Sequence, residues 1–425
     1  MTPGAMMAAF IAMMAGGVPV AIAMAAASLI YVMTTKTIPD FVLIHRMYGG
    51  VDSFPLLAVP FFIFAGNLMN SAGITNRIYN FALALVGWLK GGLGHVNVVG
   101  SMIFAGMSGT AIADAAGLGT IEIKAMKDHG YSTEFAVGVT AASATVGPII
   151  PPSLPFVIYG MMAGVSIGQL FVAGVVPGII MGLTMMATVG WYAHRRGYQA
   201  DALFSWRQLG RTFVEAFLAI MTPVLLIGGM TLGVFTPTEG AIAASAYALF
   251  LGLAWYRTLS WRLLVKISMD TIETTATVLF IVAAASIFGW LLTVTRVTED
   301  VAVWILAFTR EPWVFLLLVN LLMLFVGCFL EPVAAITLLV PILIPICQRL
   351  GIDLVHFGLV MVLNLMIGLL HPPMGTVLFV LSRVAKLSFE RTTIAILPWL
   401  VPLFATLILC TYVPEVVLWL PRQFF

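Results

Sequence analysis

The sequence predicts an all-α polytopic membrane protein made of two related halves, and three observations carry that prediction. Of 425 residues, 61% are apolar and only 9% charged, where an ordinary soluble protein has roughly 25% charged residues. Apolar stretches recur at the length a bilayer crossing requires, about 20 residues for about 30 Å of hydrocarbon. A displacement of 221 residues brings the glycines and proline pairs that interrupt these stretches into register, Gly106 on Gly327 and Pro151 and Pro152 on Pro372 and Pro373. A soluble fold of this size would need a polar surface the chain does not contain, so soluble enzymes, nucleic-acid binders and secreted disulfide scaffolds are excluded. The net charge of +2, 20 basic against 18 acidic residues, predicts no polyanionic partner. Cys328, Cys347 and Cys410 lie in apolar surroundings without metal-type spacing and read as small buried residues.

Residues 1–39 hold an N-terminal span over 3–33, which lacks the basic n-region and cleavage site of a signal peptide. The first repeat, 40–195, contains a span at 50–72, an arm helix at 76–90, a hairpin at 93–128, a broken helix at 133–165 and a span at 168–193. Two connecting spans, 212–235 and 238–256, fill 196–261. The second repeat, 262–425, contains a span at 268–294, an arm helix at 297–311, a hairpin at 314–349, a broken helix at 354–386 and a span at 392–420. Each hairpin segment is too short to cross twice and is interrupted near its centre, by GMSGT and by GCFLEP, so each reads as re-entrant. GPIIPPS and GLLHPPMG interrupt the two broken helices. The arm helices, about 15 residues with charges at their ends, are short for a crossing and read as interfacial.

Further pairs keep the same displacement: Gly130 with Gly351, Gly147 with Gly368, Pro177 with Pro398. Apolar coincidences mean little in this composition. Coincident backbone breaks mean more, because a lipid-embedded break must be supported by its neighbours. The basic clusters Arg195, Arg196, Arg207 and Arg211, then Arg257, Arg262 and Lys266, and then Arg383, Lys386 and Arg391 can all face the cytoplasm. Tracing the chain between them places the open end of the first hairpin, with Glu122, Lys124, Lys127 and Asp128, in the cytoplasm and that of the second outside. The repeats are therefore expected to be inverted. Lys36 and Arg46 fall outside on this path, against the rule.

Inverted repeats with broken helices point to a secondary transporter whose site lies at the midplane between the halves. A broken helix frees carbonyls at one end and N–H groups at the next start, giving cation ligands and anion donors in one place. The four breaks, Gly106 to Thr110, Gly147 to Ser153, Gly327 to Pro332 and Gly368 to Thr376, carry the hydroxyls of Ser108, Thr110, Thr145, Ser153 and Thr376. Asn364 adds an amide and Glu331 a carboxylate. These are hard oxygen ligands suited to sodium. Each has a plainer reading beside it: the hydroxyls can bond preceding carbonyls, and Glu331 and Glu239 can cap the helices they precede. Asp114 can bond the hairpin tip, and His371 can be an ordinary hydrogen-bonded histidine instead of a substrate contact.

The motifs SFPLLAVPFFIFAG (53–66), SGTAIADAAG (108–117), VGPIIPPS (146–153), FVAGVVPG (171–178), FTPTEGA (235–241) and HPPMGT (371–376) run in order along nearly the whole chain. In these the sequence resembles the large membrane subunit, the DctM-like component, of the tripartite ATP-independent periplasmic (TRAP) transporters. The resemblance implies an elevator-type carrier related to the ion-transporter superfamily, in which a scaffold holds a mobile domain of two hairpins and two broken helices. It implies sodium near the hairpin tips, at Ser108, Gly109, Thr145 and Gly147 and at Gly327, Glu331, Asn364 and Gly368. Thr110, Ser153, His371 and Thr376 are left as the substrate-facing candidates, and no organic cofactor is implied. It also implies two partners, a small membrane subunit of about four spans on a separate chain and a periplasmic binding protein that delivers an organic carboxylate, at a bacterial inner membrane. The tip reads SGTAIAD where the family often has a second serine, and His371 stands where threonine is common.

The expected function is thus sodium-coupled import of an organic carboxylate such as a C4-dicarboxylate or sugar acid. A self-contained citrate-type or arsenite-type carrier would share the architecture and lack the two partners. A membrane-embedded enzyme would need a nucleophile and base or a metal cluster on facing helices, and neither HExxH nor GxSxG occurs. A channel would need a continuous polar lining, which paired re-entrant breaks do not make.

Overall fold

The computed structural model describes every residue except Met1, Thr37 and Pro373, and describes the side chains of all the others but Met107, Ser108 and Ala113. The described residues form helices and turns, with no strand among them. Six helical segments are long and apolar enough to cross a bilayer: Phe54–Ser71, Ile167–Arg196, Trp206–Thr231, Trp261–Val294, Pro332–Arg349 and Phe389–Tyr412.

Residues 3–33, apolar throughout, contain two helices, Pro3–Ala15 and Val20–Thr35. Gly17, at φ +84°, and Pro19 between them account for the turn, since one adopts a left-handed backbone and the other lacks an N–H. Both pack on Trp261–Val294, where Phe10 meets Phe288 with ring centroids 5.0 Å apart. The helix Phe41–Val51 follows and buries none of its side chains.

Phe54–Ser71 lies against Pro237–Phe250, whose buried residues are all small: Thr238, Gly240, Ala241, Ala244, Ser245 and Ala248. Small side chains let the two backbones approach closely. Hydroxyls then bridge the gap: Ser245 donates to the Phe61 carbonyl at 2.7 Å and Thr238 to that of Phe54 at 3.1 Å. Thr236 and Glu239 form a reciprocal capping box at the start of Pro237–Phe250, the capping role that the sequence offered for Glu239.

The two hairpins differ in construction. The first descends as Gly92–Ser108 and returns as Ala111–Ala116 and Leu118–Asp128, interrupted at Gly117. The second is Pro312–Gly327 followed by the unbroken Pro332–Arg349. Arm helices Ile74–Val86 and Val297–Phe308 precede them. The broken helices are Thr133–Ala144 with Leu154–Ala163 and Leu354–Gly368 with Thr376–Ala385. Their helix starts recur at nearly one spacing. Residues 133, 154 and 167 correspond to 354, 376 and 389, displacements of 221, 222 and 222.

From Phe135 to Ala144 and from Val355 to Gly368 every side chain is buried, so both broken helices run through the protein interior. At one end an aromatic cluster secures the first of them: Trp399 stacks on Tyr192 at 5.6 Å and 8°, and Phe135 meets Trp399, Tyr192, Tyr131 and Tyr198. Asp201 ties this end to the first hairpin by accepting from the Tyr131 hydroxyl at 2.5 Å and from the Leu93 amide at 2.8 Å. Burial, and then the Asp201 carboxylate, holds the Tyr131 phenol well above its ordinary pKa.

Candidate functional site between the hairpin tips

The first tip turns at Gly109, whose φ of +62° is left-handed. A Cβ there would lie 2.8 Å from the Pro152 carbonyl oxygen, and one on Gly147 would lie 3.5 Å from that of Thr110. Glycine is thus required where the tip meets the first broken helix. The structure brings together Gly109, Gly147 and the intervening carbonyls, while the Ser108 side chain lies outside the described residues. Thr145 donates to the Ala142 carbonyl at 2.6 Å, the ordinary helical back-bond, which leaves its lone pairs available. Ser153 caps Leu154–Ala163 by accepting from the Phe156 amide at 3.3 Å.

The second tip meets the second broken helix more closely still. A Cβ on Gly368 would lie 2.7 Å from Gly327 Cα, so the two backbones touch. Glu331 caps Pro332–Arg349, accepting from the amides of Val333 and Ala334 at 3.1 and 3.4 Å. It remains exposed and faces a cavity. The Asn364 amide donates to Asn320 Oδ1 at 2.7 Å and to the Val360 carbonyl at 2.8 Å, and Asn320 in turn donates to Thr411 at 3.0 Å. This chain fixes the amide and leaves Asn364 Oδ1 buried without a partner. A buried acceptor of that kind, one helical turn from freed carbonyls, fits a bound cation.

The four breaks converge. A pocket of about 40 Å³ is lined by Gly109 and Thr110 of the first tip, Pro148 and Leu154 of the first broken helix, Glu331 of the second tip and Leu369 of the second broken helix. It adjoins a larger cavity of about 330 Å³, which shares Thr110, Ile112, Leu154 and Glu331 and extends to Asn67, Asn70 and Thr274. The N-termini of Leu154–Ala163 and Pro332–Arg349 start here, supplying partial positive charge. Ser153, His371 and Thr376 do not line this cavity. His371 is the ordinary hydrogen-bonded histidine that the sequence allowed, with Nδ1 2.6 Å from the Pro372 carbonyl and 3.4 Å from Cys328 Sγ. Thr376 Oγ1 is buried without a partner.

Asn67, Asn70 and Thr274 escaped the sequence reading. They come from Phe54–Ser71 and Trp261–Val294, outside the hairpins, and Asn67 links those helices by donating to Thr271 at 3.1 Å. Two asparagines within the apolar run AGNLMN were the available signal, since intramembrane amides are costly unless used. Two carboxylates are also placed differently from expectation. The Asp114 amide donates to the Thr110 carbonyl of the tip at 3.3 Å, while both of its carboxylate oxygens are buried without a hydrogen-bond partner. Glu122, expected at an open cytoplasmic end, is 1% exposed, because its stretch of helix faces the broken helix and not solvent.

The family model described as "Tripartite ATP-independent periplasmic transporter, DctM component" matches residues 7–416. The sialic acid TRAP transporter large permease protein SiaM of Vibrio cholerae is 46% identical over 408 residues, covering 96% of each chain. The C4-dicarboxylate TRAP transporter large permease protein DctM of Rhodobacter capsulatus is 35% identical over 97% of each. Among solved structures, the Alcanivorax borkumensis YdaH transporter superposes with a TM-score of 0.61 at 15% identity, covering 87% of this chain and 86% of that one, a likeness of fold.

Proposed function

Because this chain belongs to the tripartite ATP-independent periplasmic transporters as a DctM component, a membrane transport subunit and not an enzyme, we propose that it imports an organic carboxylate in symport with sodium. The observation that carries this reading is the meeting of four backbone breaks at one small pocket, beside a larger cavity that bears Asn67, Asn70, Thr110 and Glu331. Sodium is held at two places: by the backbone around Gly109 and Gly147 with Thr145 and Ser108, and by that around Gly327 and Gly368 with Asn364 and Glu331. The cargo lies in the larger cavity, its negative charge facing the two helix N-termini, with Thr110, Asn67 and Asn70 as hydrogen-bonding partners. A cargo of this class accords with relatives named for sialic acid, C4-dicarboxylates and 2,3-diketo-L-gulonate.

The two repeats are inverted, and the hairpins with their broken helices move as one elevator domain against the scaffold. The protein resides in the bacterial inner membrane, with a small four-span subunit on a separate chain and a periplasmic binding protein that delivers the cargo. Two sodium ions with a dicarboxylate would move no net charge. With a monocarboxylate they would move one, worth about 2.3 kcal/mol per 100 mV. Reconstitution in proteoliposomes tests the reading. Uptake is expected only with all three components and an inward sodium gradient; full-rate uptake by this chain alone without sodium would overturn it.

A further inference from the structure

The first hairpin holds two carboxylates that the site at the breaks does not use. Asp114 and Glu122 are each 1% exposed. Glu122 Oε2 accepts from the Asn97 amide at 2.5 Å, and that amide also reaches Thr140 Oγ1 at 2.8 Å. Ser143 donates to Asn97 Oδ1 at 2.7 Å, and Ser101 donates to Ser143 at 3.1 Å. Asp114 sits beside Ser101 and within electrostatic range of Glu122. Gly100 makes room for the cluster, since a Cβ there would lie 2.8 Å from Glu122 Oε1.

The network leaves three carboxylate oxygens unanswered. Both of Asp114 and Oε1 of Glu122 are buried and have no hydrogen-bond partner. No basic side chain compensates them: among the described residues the ion pairs are Arg211 with Glu215 and Arg422 with Glu415. Lys124 and Lys127 on the same helix as Glu122, and Arg383 on the neighbouring Thr376–Ala385, are exposed. The other titratable groups around the cluster are Tyr79 on the arm helix, buried His95 on Gly92–Ser108, half-buried Glu134 on Thr133–Ala144 and Asp201 beyond Tyr131. Two like charges buried together without a counter-charge are strongly unfavourable.

We propose that the first hairpin carries its own monovalent-cation site at Asp114 and Glu122, apart from the breaks, in which a single cation lowers the charge of the pair from two to one and the Asn97 amide answers the charge that remains. Its source is either a sodium ion, held by the carboxylates with the Ser101 and Ser143 hydroxyls, or a proton shared by the carboxylates. A divalent ion is disfavoured, since no group of three His, Cys, Asp or Glu suited to a metal occurs among the described residues. In the transport cycle, which rests on the function proposed above, this cation would travel with the hairpin and add to the charge that the elevator carries.

Melting of the purified full chain in lipid nanodiscs tests the site without reference to uptake. Sodium is titrated against choline at fixed pH, and pH is then varied in choline, for the wild type, Asp114→Asn, Glu122→Gln, Ser143→Ala and Asn364→Ala. The wild type is expected to be stabilised by sodium if that is the occupant, or by lowering pH through neutrality if it is a proton. Asn364→Ala, which alters a ligand of the sodium proposed at the second break, should lose only the share of the sodium response that belongs to the breaks, while Asp114→Asn and Glu122→Gln should lose the share, or the pH response, that belongs to the cluster. Ser143→Ala, which spares both carboxylates and stands in should the others not fold, should shift its midpoint about tenfold. Unchanged midpoints in the cluster variants would overturn the proposal. A sodium response lost in Asn364→Ala but kept in the cluster variants, with no pH response, would overturn it equally.

Discussion

Gly327 and Gly368 bring the second tip and the second broken helix into backbone contact, and their lack of side chains sets the distance between the two. Gly368→Ala would insert a methyl 2.7 Å from Gly327 Cα. It is expected to cost about 1–3 kcal/mol by overpacking and to reduce uptake more than it lowers the melting temperature. Gly190→Ala, with nothing within 4 Å of the added atom, is the neutral control; equal losses in both would sever the contact from function. Gly109→Leu should abolish transport with insertion intact, because the tip needs a left-handed residue against Pro152. Normal uptake by an inserted variant would remove the first tip from the binding machinery. At this scale the sequence was informative where the determinant is local. The cap at Glu331 follows from an acidic residue beside the proline that starts its helix, and that at Glu239 from its place three residues after Thr236. The burial of Glu122 does not, because LGTIEIKAMKD reads as a solvated helix end until Thr133–Ala144 packs across it.

At the scale of elements, the closest pairing of the scaffold is the small-residue face of Pro237–Phe250 on Phe54–Ser71. Ala241, fully buried there, has no room to grow. Ala241→Leu is expected to lower stability by about 1–3 kcal/mol, whereas Thr236→Ala, which removes the capping box, should cost about 1 kcal/mol. Melting of the two variants separates these effects, and an Ala241→Leu protein as stable as the wild type would contradict the close pairing. The breaks at the tips and broken helices were legible because glycines and prolines cluster there, whereas lone prolines such as Pro177 and Pro398 are carried inside unbroken helices. The division of 3–33 into two helices carried the same signal, GGVP at 16–19, which the uniformly apolar flanks obscured. Asn67, Asn70 and Thr274 were hidden for a different reason. Their contribution to the cavity depends on which helix faces of the scaffold turn inward, and no local pattern encodes that.

At the scale of the whole molecule, helix starts displaced by 221 or 222 residues describe one architecture used twice, and the proposed inversion makes a sharp prediction. Lys127 and Arg349 end the return limbs of the two hairpins and are both exposed. Cysteines placed there, in a background lacking the buried Cys328, Cys347 and Cys410, should react with an impermeant thiol reagent from opposite sides of the membrane. Labelling of both from one side would mean parallel repeats and would dissolve the alternating-access argument. The aromatic cluster that secures the first broken helix has an optical corollary. Of ten tryptophans, Trp399 is 1% exposed while the rest are half-buried or exposed. Brominated acyl chains and aqueous iodide together should therefore quench nearly all the intrinsic fluorescence except its emission. Trp399 lies between the first broken helix and the last long span, against Gly138, so that residual glow becomes a label-free gauge of whether those two elements stay in contact as the protein turns over.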